Sequence, residues 1–267
     1  MQKEAIADKF NGFILDLDGT VYLSDNLIPN ADKVIHYLRE KGKKVKFLSN
    51  KPIETRINYA NKLTRLGIPT KKEDVINSSY VLVEYLKKKM PSAKLYIVGE
   101  PPLIEEVKRA GFVITENPDE IDLVVAAFDR TFDYKKLNIA YQAIRRGAHF
   151  WATNPDRTCP VEGGEIPDCA GMIGAIEGVT GKTVELIVGK PSPIMVEVIL
   201  SHMRLSPDQC IMVGDRLETD MVMGKNSKIA TALVLTGITK REDLEKSKVK
   251  PDYVLESIAD LIKPEIL

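Results

Sequence analysis

Asp16 and Asp18 stand one residue apart, directly after the apolar run Phe13-Ile14-Leu15 and just before Gly19-Thr20. A short apolar run suits a buried strand of a parallel sheet. Carboxylates released at the carboxyl end of such a strand sit where open α/β sheets bind their ligands. Three kinds of chemistry fit the pair. Asp-Gly is a common turn, and the acids could serve it as capping groups. A calcium loop needs oxygen ligands at alternate positions and a later Glu. Here the alternate residues are Thr20 and Tyr22, and no Glu follows at that spacing. A nucleophilic carboxylate working beside magnesium would use Asp16 against phosphorus and Asp18 for the proton. On these residues alone the turn and the nucleophile stay open.

The elements that must position the pair read as alternating strands and helices. Helices are predicted over Ala31 to Lys41, capped by Asn30, and from about Glu54 to Leu66, with strands at Lys44 to Leu48 and Val75-Ile76. Tyr22 to Pro29 reads as a loop, and Ser79 to Lys89 as a helix. Beyond Pro91 a second series begins, with strands at Leu95 to Val98, Leu123 to Ala127 and His149 to Thr153. Its helices are placed at Leu103 to Ala110, Tyr134 to Arg146 and Met172 to Thr180, with a long loop from Pro155 to Ala170. From Leu186 the first series is expected to resume. The fold class is therefore α/β: a Rossmann-like, doubly wound parallel sheet with an inserted smaller α/β domain. The expected division is a core of residues 1–90 and 186–267 and an inserted domain of residues 91–185.

Four remote segments share one feature: each closes an apolar strand with polar groups. They hold Asp16 and Asp18, Ser49 and Asn50, Lys190, and Asp215 with Asp220. In one parallel sheet those ends would face the same edge. Two like charges about 4 Å apart repel by roughly 4 kcal/mol at an effective dielectric near 20. Converging acids therefore imply a bound cation, and oxygen-only ligands favour magnesium over zinc. A phosphate would fit beside that cation, with Lys190 balancing its charge and Ser49 and Asn50 holding its oxygens. Asp16 could then attack in line to give an aspartyl-phosphate, with Asp18 protonating the leaving alcohol and later activating water.

Composition narrows the partners. The 267 residues carry a formal net charge of +0, which gives no reason to expect nucleic acid. Cys159, Cys169 and Cys210 form no CxxC pair, so free thiols in a reduced cytoplasmic setting are expected. Met1-Gln2-Lys3-Glu4 lacks the apolar stretch of a signal peptide, and no run approaches a membrane span. The expected partner is a small phosphate ester, with the chain a monomer or homodimer.

Asp16-Leu17-Asp18-Gly19-Thr20, Ser49-Asn50, Lys190 and Gly214-Asp215 with Thr219-Asp220 resemble the four ordered motifs of the haloacid dehalogenase superfamily of phosphatases. The wording around them, including Ala152-Thr153-Asn154-Pro155-Asp156 and Val188-Gly189-Lys190-Pro191-Ser192, is similar to its NagD-like and nitrophenylphosphatase-like branch. The resemblance implies a large α/β cap inserted between the second and third motifs. It implies magnesium held by the Asp16 side chain, the Asp18 carbonyl and Asp215, with Asp220 as a supporting acid. Asn154 and Asp156 would lie where cap meets core. The expected catalytic set is Asp16, Asp18 and Lys190. The substrate-binding set is Ser49, Asn50, Lys51, Asn154 and Lys190, and the metal set is Asp16, Asp18, Asp215 and Asp220. Two departures lie near the expected substrate: Lys51-Pro52 after Asn50, and Ala170-Gly171-Met172 where the family has Pro-Gly-Thr-Gly.

The expected activity is magnesium-dependent hydrolysis of small phosphate monoesters, such as sugar, nucleotide, pyridoxal or aryl phosphates. The alternatives are a phosphotransferase or phosphonate hydrolase of the same superfamily, or a phosphate sensor that no longer turns over. A phosphonate hydrolase would need a further Schiff-base lysine, for which no residue stands out. Gly178-Val179-Thr180-Gly181-Lys182-Thr183 resembles a P-loop ending but lacks its first glycine and follows a helix, so it reads as a helix stop. His36, His149 and His202 have no ligand spacing.

Overall fold

Strand and helix alternate along the computed structural model, which describes residues 5–161 and 163–267. Met1-Gln2-Lys3-Glu4, read above for a signal peptide, lies outside the described residues. The first strands are β1 Gly12–Asp16, β2 Tyr22–Leu23, β3 Asn26–Leu27, β4 Lys44–Ser49 and β5 Val75–Asn77. Next come β6 Lys94–Val98, β7 Val113–Ile114, β8 Leu123–Ala126, β9 His149–Ala152, β10 Thr158–Val161 and β11 Gly164–Pro167. The series ends with β12 Leu186–Ile187, β13 Cys210–Gly214, β14 Ala230–Val234 and β15 Tyr253–Leu255.

The chain divides into two units. The first comprises Met1–Ser49, Arg56–Ile76 and Val196–Leu267. Its sheet has the order β15-β14-β13-β1-β4-β5. β1 lies between β4 and β13 and runs parallel to both, with Leu15 level with Phe47 on one side and Val213 on the other. Every residue of β1 is buried, which is why the sequence there is apolar without alternation. The strand order reverses between β1 and β13, and that reversal opens a crevice at the carboxyl ends of the two strands. Phe13, Leu15, Phe47, Leu38, Leu63 and Val213 belong to the core on this sheet.

The second unit comprises Asn50–Thr55 and Asn77–Met195. Its parallel sheet has the order β12-β9-β8-β6-β7. Val98, Val124, Ala126, Phe150 and Ile176 are fully or nearly fully buried in its core.

Four expectations need correction. The segment Tyr22 to Pro29 is no plain loop, because β2 and β3 pair antiparallel within it. The long loop after Pro155 likewise carries the antiparallel pair β10 and β11, and the helix after it starts at Cys169 rather than Met172. Asn30 does not cap its helix through the side chain. It holds the left-handed conformation (φ 65°), which Asn tolerates better than most residues. The consequential correction concerns Leu186. The first series does not resume there: β12 pairs with β9, so Lys190 follows an edge strand of the second sheet and not the sheet that carries Asp16. The pairing is natural, since Val184 and Ile187 pack against the second unit's core. The second unit's longer segment, Asn77–Met195, extends beyond Pro91 and Leu186 on either side. The helix Ser78–Lys89 falls in the second unit, where its Tyr85 ring rests 5.5 Å from that of Trp151.

Phe47, on β4 and level with Leu15 of β1, is fully buried in the first unit's core. Phe47→Ala is expected to lower unfolding free energy by about 3–5 kcal/mol in urea denaturation. A loss below about 1 kcal/mol would contradict this account of the core.

Candidate functional site

The predicted residues fall into two groups, one in each unit. In the first unit β1 delivers Asp16 and β13 delivers Gly214 and then Asp215, side by side at the crevice. The chain then makes a π-helical turn, Leu217–Met221, closed by the Met221 N–H on the Arg216 carbonyl at 3.2 Å. Such turns are rare and cluster at functional positions. Here the turn folds Asp220 back, so that its Oδ2 accepts the Arg216 N–H at 3.1 Å and lies against Gly214, leaving no room for a Cβ there. Asp16, Asp215 and Asp220 are all buried, and each presents a carboxylate oxygen within 4.8 Å of the others.

Glycine makes the approach possible. At Gly19 (φ +82°) a Cβ would lie 2.6 Å from Asp215 Oδ2, and at Gly237 it would collide with the same carboxylate. Thr236 Oγ1 ties this turn to the Gly19 carbonyl at 2.5 Å. Asp215 Oδ2 accepts the Ile238 N–H at 2.7 Å, whereas its Oδ1 is buried with no hydrogen-bond partner. Burial first, then repulsion from Asp16 and Asp220, pushes the Asp215 carboxyl up to about 8. A buried, unpartnered carboxylate oxygen among acids is what a bound cation would relieve, and the all-oxygen donor set fits a hard divalent ion. The Asp18 side chain is not one of this trio. Asp18 is half-buried at the head of the turn, where the Gly19 N–H closes onto the Tyr22 carbonyl at 2.7 Å. Ser49 ends β4 with its Oγ donating to the Tyr59 hydroxyl at 3.3 Å.

The second unit gathers Asn50, Asn154 and Lys190. The Asn50 side chain grips the Lys190 backbone from both sides, its Oδ1 accepting the Lys190 N–H at 2.8 Å and its Nδ2 donating to the Lys190 carbonyl at 3.1 Å. Nδ2 also donates to Asp156 Oδ2 at 3.0 Å. Both N–H groups and the oxygen of that carboxamide are thus engaged within the protein, and the Asn50 carbonyl accepts the Ser78 hydroxyl at 2.6 Å. Asn154 is in the same position. Wholly buried, it donates to Asp156 at 3.0 Å and Asp168 at 3.2 Å and accepts from Thr153 Oγ1 at 2.8 Å. Lys190 itself is 3% exposed. Asp168 was not singled out from the sequence, although an Asp directly before the helix Cys169–Thr180 is a helix-start signal. Burial raises its carboxyl to about 6, Asp156 adding to the rise while the Cys169 N–H, Asn154 and Lys51 oppose it.

A haloacid dehalogenase-like hydrolase family model matches residues 13–113, and a second model of haloacid dehalogenase hydrolase type matches residues 187–261. The sugar-phosphatase AraL of Bacillus subtilis is 42% identical over 252 residues, spanning 94% of this chain and 92% of that protein. The chain belongs to the haloacid dehalogenase superfamily, in the NagD-like branch of its phosphatases. Among solved structures of that branch, the 4-nitrophenylphosphatase of Thermotoga maritima superimposes with a TM-score of 0.92 at 37% identity, over 97% of this chain and 98% of that one. NagD of E. coli K-12 gives 0.87 at 29% identity, over 95% and 100%. Membership of the haloacid dehalogenase superfamily implies a divalent metal, and the buried acidic trio fits one.

Gly181 ends the helix Cys169–Thr180 in the left-handed conformation (φ 67°), so the P-loop-like segment is a helix stop. Cys159, Cys169 and Cys210 are buried thiols. Among the described residues no helix is long and apolar enough to cross a membrane.

The raised Asp215 carboxyl has a measurable consequence. Its value is 3.8 in the unfolded chain and about 8 in the metal-free fold, so between these values the fold holds a proton that the unfolded chain releases. Stability from this group is full below pH 4 and falls as pH rises towards 8. Melting temperature of metal-free protein is expected to fall over that window more steeply than in Asp215→Asn, and a divalent ion is expected to flatten the fall. Equal slopes in the two proteins would contradict the assignment.

Proposed function

We propose that this chain is a magnesium-dependent phosphatase of small phosphate monoesters, sugar phosphates foremost, working through an aspartyl-phosphate. The observation that carries the reading is the buried trio Asp16, Asp215 and Asp220, with one Asp215 oxygen left without a partner. In this reading Asp16 is the nucleophile. Attack of its carboxylate on phosphorus expels the alcohol, and Asp18 gives that alcohol its proton. Asp18 then takes a proton from the water that cleaves the acyl-phosphate, returning Asp16 to its starting state. Asp16, Asp215 and Asp220, with the Asp18 carbonyl, would hold magnesium, which when bound supplies positive charge against the phosphate oxygens.

Lys190 would meet the phosphate as an ammonium, with the Ser49 hydroxyl and the main-chain N–H groups beside it, while Lys51 would reach the organic part of the ester. Residues 91–185 would act as the cap domain that excludes water from the reacting phosphate. The substrate class follows the relatives' names: one is a sugar-phosphatase, another a 4-nitrophenylphosphatase. The intact set Asp16, Asp18 and Lys190 favours turnover over mere sensing.

The test is a panel of sugar, nucleotide, pyridoxal and aryl phosphates assayed with magnesium and with chelator. Hydrolysis is expected only with magnesium, with Asp16→Asn inactive yet folded and Asp18→Asn slower by about 10²–10⁴-fold. Full activity of Asp16→Asn would end the reading.

A further inference from the structure

One continuous hydrogen-bonded chain runs through the second unit and ends on the main chain of Lys190. It starts at Asp168, 1% exposed, whose Oδ1 caps the helix Cys169–Thr180 by accepting the Cys169 N–H at 2.5 Å. The same oxygen accepts from Asn154 Nδ2 at 3.2 Å. Asn154 hands on to Asp156 Oδ2, which also accepts from Asn50 Nδ2, and Asn50 clasps the Lys190 N–H and carbonyl. The main chain reinforces both ends. The Ala170 N–H donates to the Asp156 carbonyl at 3.0 Å, and the Gly189 N–H donates to the Thr153 carbonyl at 2.8 Å. Gly189 has no space for a side chain, since a Cβ would meet Asn50 Oδ1 at 2.7 Å.

We propose that Asp168 and Asn154 are positioning residues that fix Lys190, through Asp156 and Asn50, from the head of the helix Cys169–Thr180. The proposal rests on the reading of Lys190 as the phosphate-binding ammonium. Each carboxamide in the chain has both N–H groups and its oxygen engaged, so no link can rotate without breaking a bond to its neighbour. Three of the links, Asn154 to Asp168, Asn154 to Asp156 and Asn50 to Asp156, end on carboxylates, which makes them the stronger, charge-assisted kind. Asn50 holds Lys190 at donor and acceptor together, so a displacement of Asn50 displaces the residue that carries the ammonium. Misplacing a reacting group by about 1 Å can cost on the order of 10²-fold in rate.

Both Asp168 bonds fall on one oxygen, and this separates charge from geometry. Asp168→Asn can present an amide oxygen to the Cys169 N–H and to Asn154, whereas Asp168→Ala removes both bonds. Amide hydrogen exchange followed by mass spectrometry reads the Gly189 and Lys190 N–H groups without reference to activity. In Asp168→Ala the peptide covering them is expected to exchange at least about tenfold faster than in the natural protein. In Asp168→Asn it is expected to stay within about threefold, and the β1 peptide is expected to be unchanged in both. On the substrate the panel identifies, Asp168→Ala is expected to lose about 10–10²-fold in kcat/KM, chiefly in kcat, with Asp168→Asn close to the natural protein.

Unchanged exchange at Gly189 and Lys190 in Asp168→Ala overturns the proposal, as does equal acceleration in both variants. Acceleration that extends to β1 also overturns it, since Asp168 would then support the fold at large. If the natural protein hydrolyses no ester in the panel, the functional reading fails, and the exchange experiment still decides the relay.

Discussion

Three buried carboxylates within 4.8 Å of one another are the constraint around which the first unit is built. Left alone, they repel in a setting where water cannot screen them, and the fold answers by holding Asp215 far above its usual range. Nothing in the packing of a doubly wound sheet asks for this. Gly19 and Gly237 give up their side chains to let Asp215 in, and a π turn is spent on bringing Asp220 back across Gly214. Close approaches of this kind, concentrated beside the strand-order reversal between β1 and β13, fit a site that a cation completes.

The second unit solves a different problem. In the proposed reading the Lys190 ammonium meets a phosphate, so it must be held out of bulk water yet aimed, and a lysine's long stem does not aim itself. Here the aim comes from the backbone. Lys190 follows a two-residue edge strand, is clasped by one carboxamide and is backed by a glycine with no room for more. The carboxamides of Asn50 and Asn154, expected from the sequence to touch substrate, are consumed in that clasp. In the proposed reading, Asn50 and Asn154 hold the residue that binds the phosphate rather than the phosphate itself.

Much of this was legible beforehand, for definite reasons. β1 up to Asp16, and all of β13, are apolar, so the acids that close them announce a strand end, and a strand end in a parallel sheet announces a site. The helices closed by Gly42, Gly67 and Gly181 were equally readable, because a positive φ leaves glycine as the natural stop. Lys190 was found by its motif but placed on the wrong sheet. β12 is only Leu186–Ile187, and two apolar residues carry no signal of which neighbour they will join. The hairpins β2 with β3 and β10 with β11 were missed because strands of two to four residues fall below what periodicity can show. The engagement of the Asn50 carboxamide is not legible because its partners, Asp156 and Lys190, lie more than a hundred residues away in sequence, which spacing does not encode.

The claim at the centre is that Asp16, Asp215 and Asp220 exist to hold one divalent ion. Crystals of the protein soaked in manganese, with diffraction recorded at the manganese edge, test it directly. The expected result is a single anomalous peak bonded to oxygens of Asp16 and Asp215, within reach of Asp220. An ordered site with no peak there, at a manganese concentration that supports hydrolysis, would contradict it.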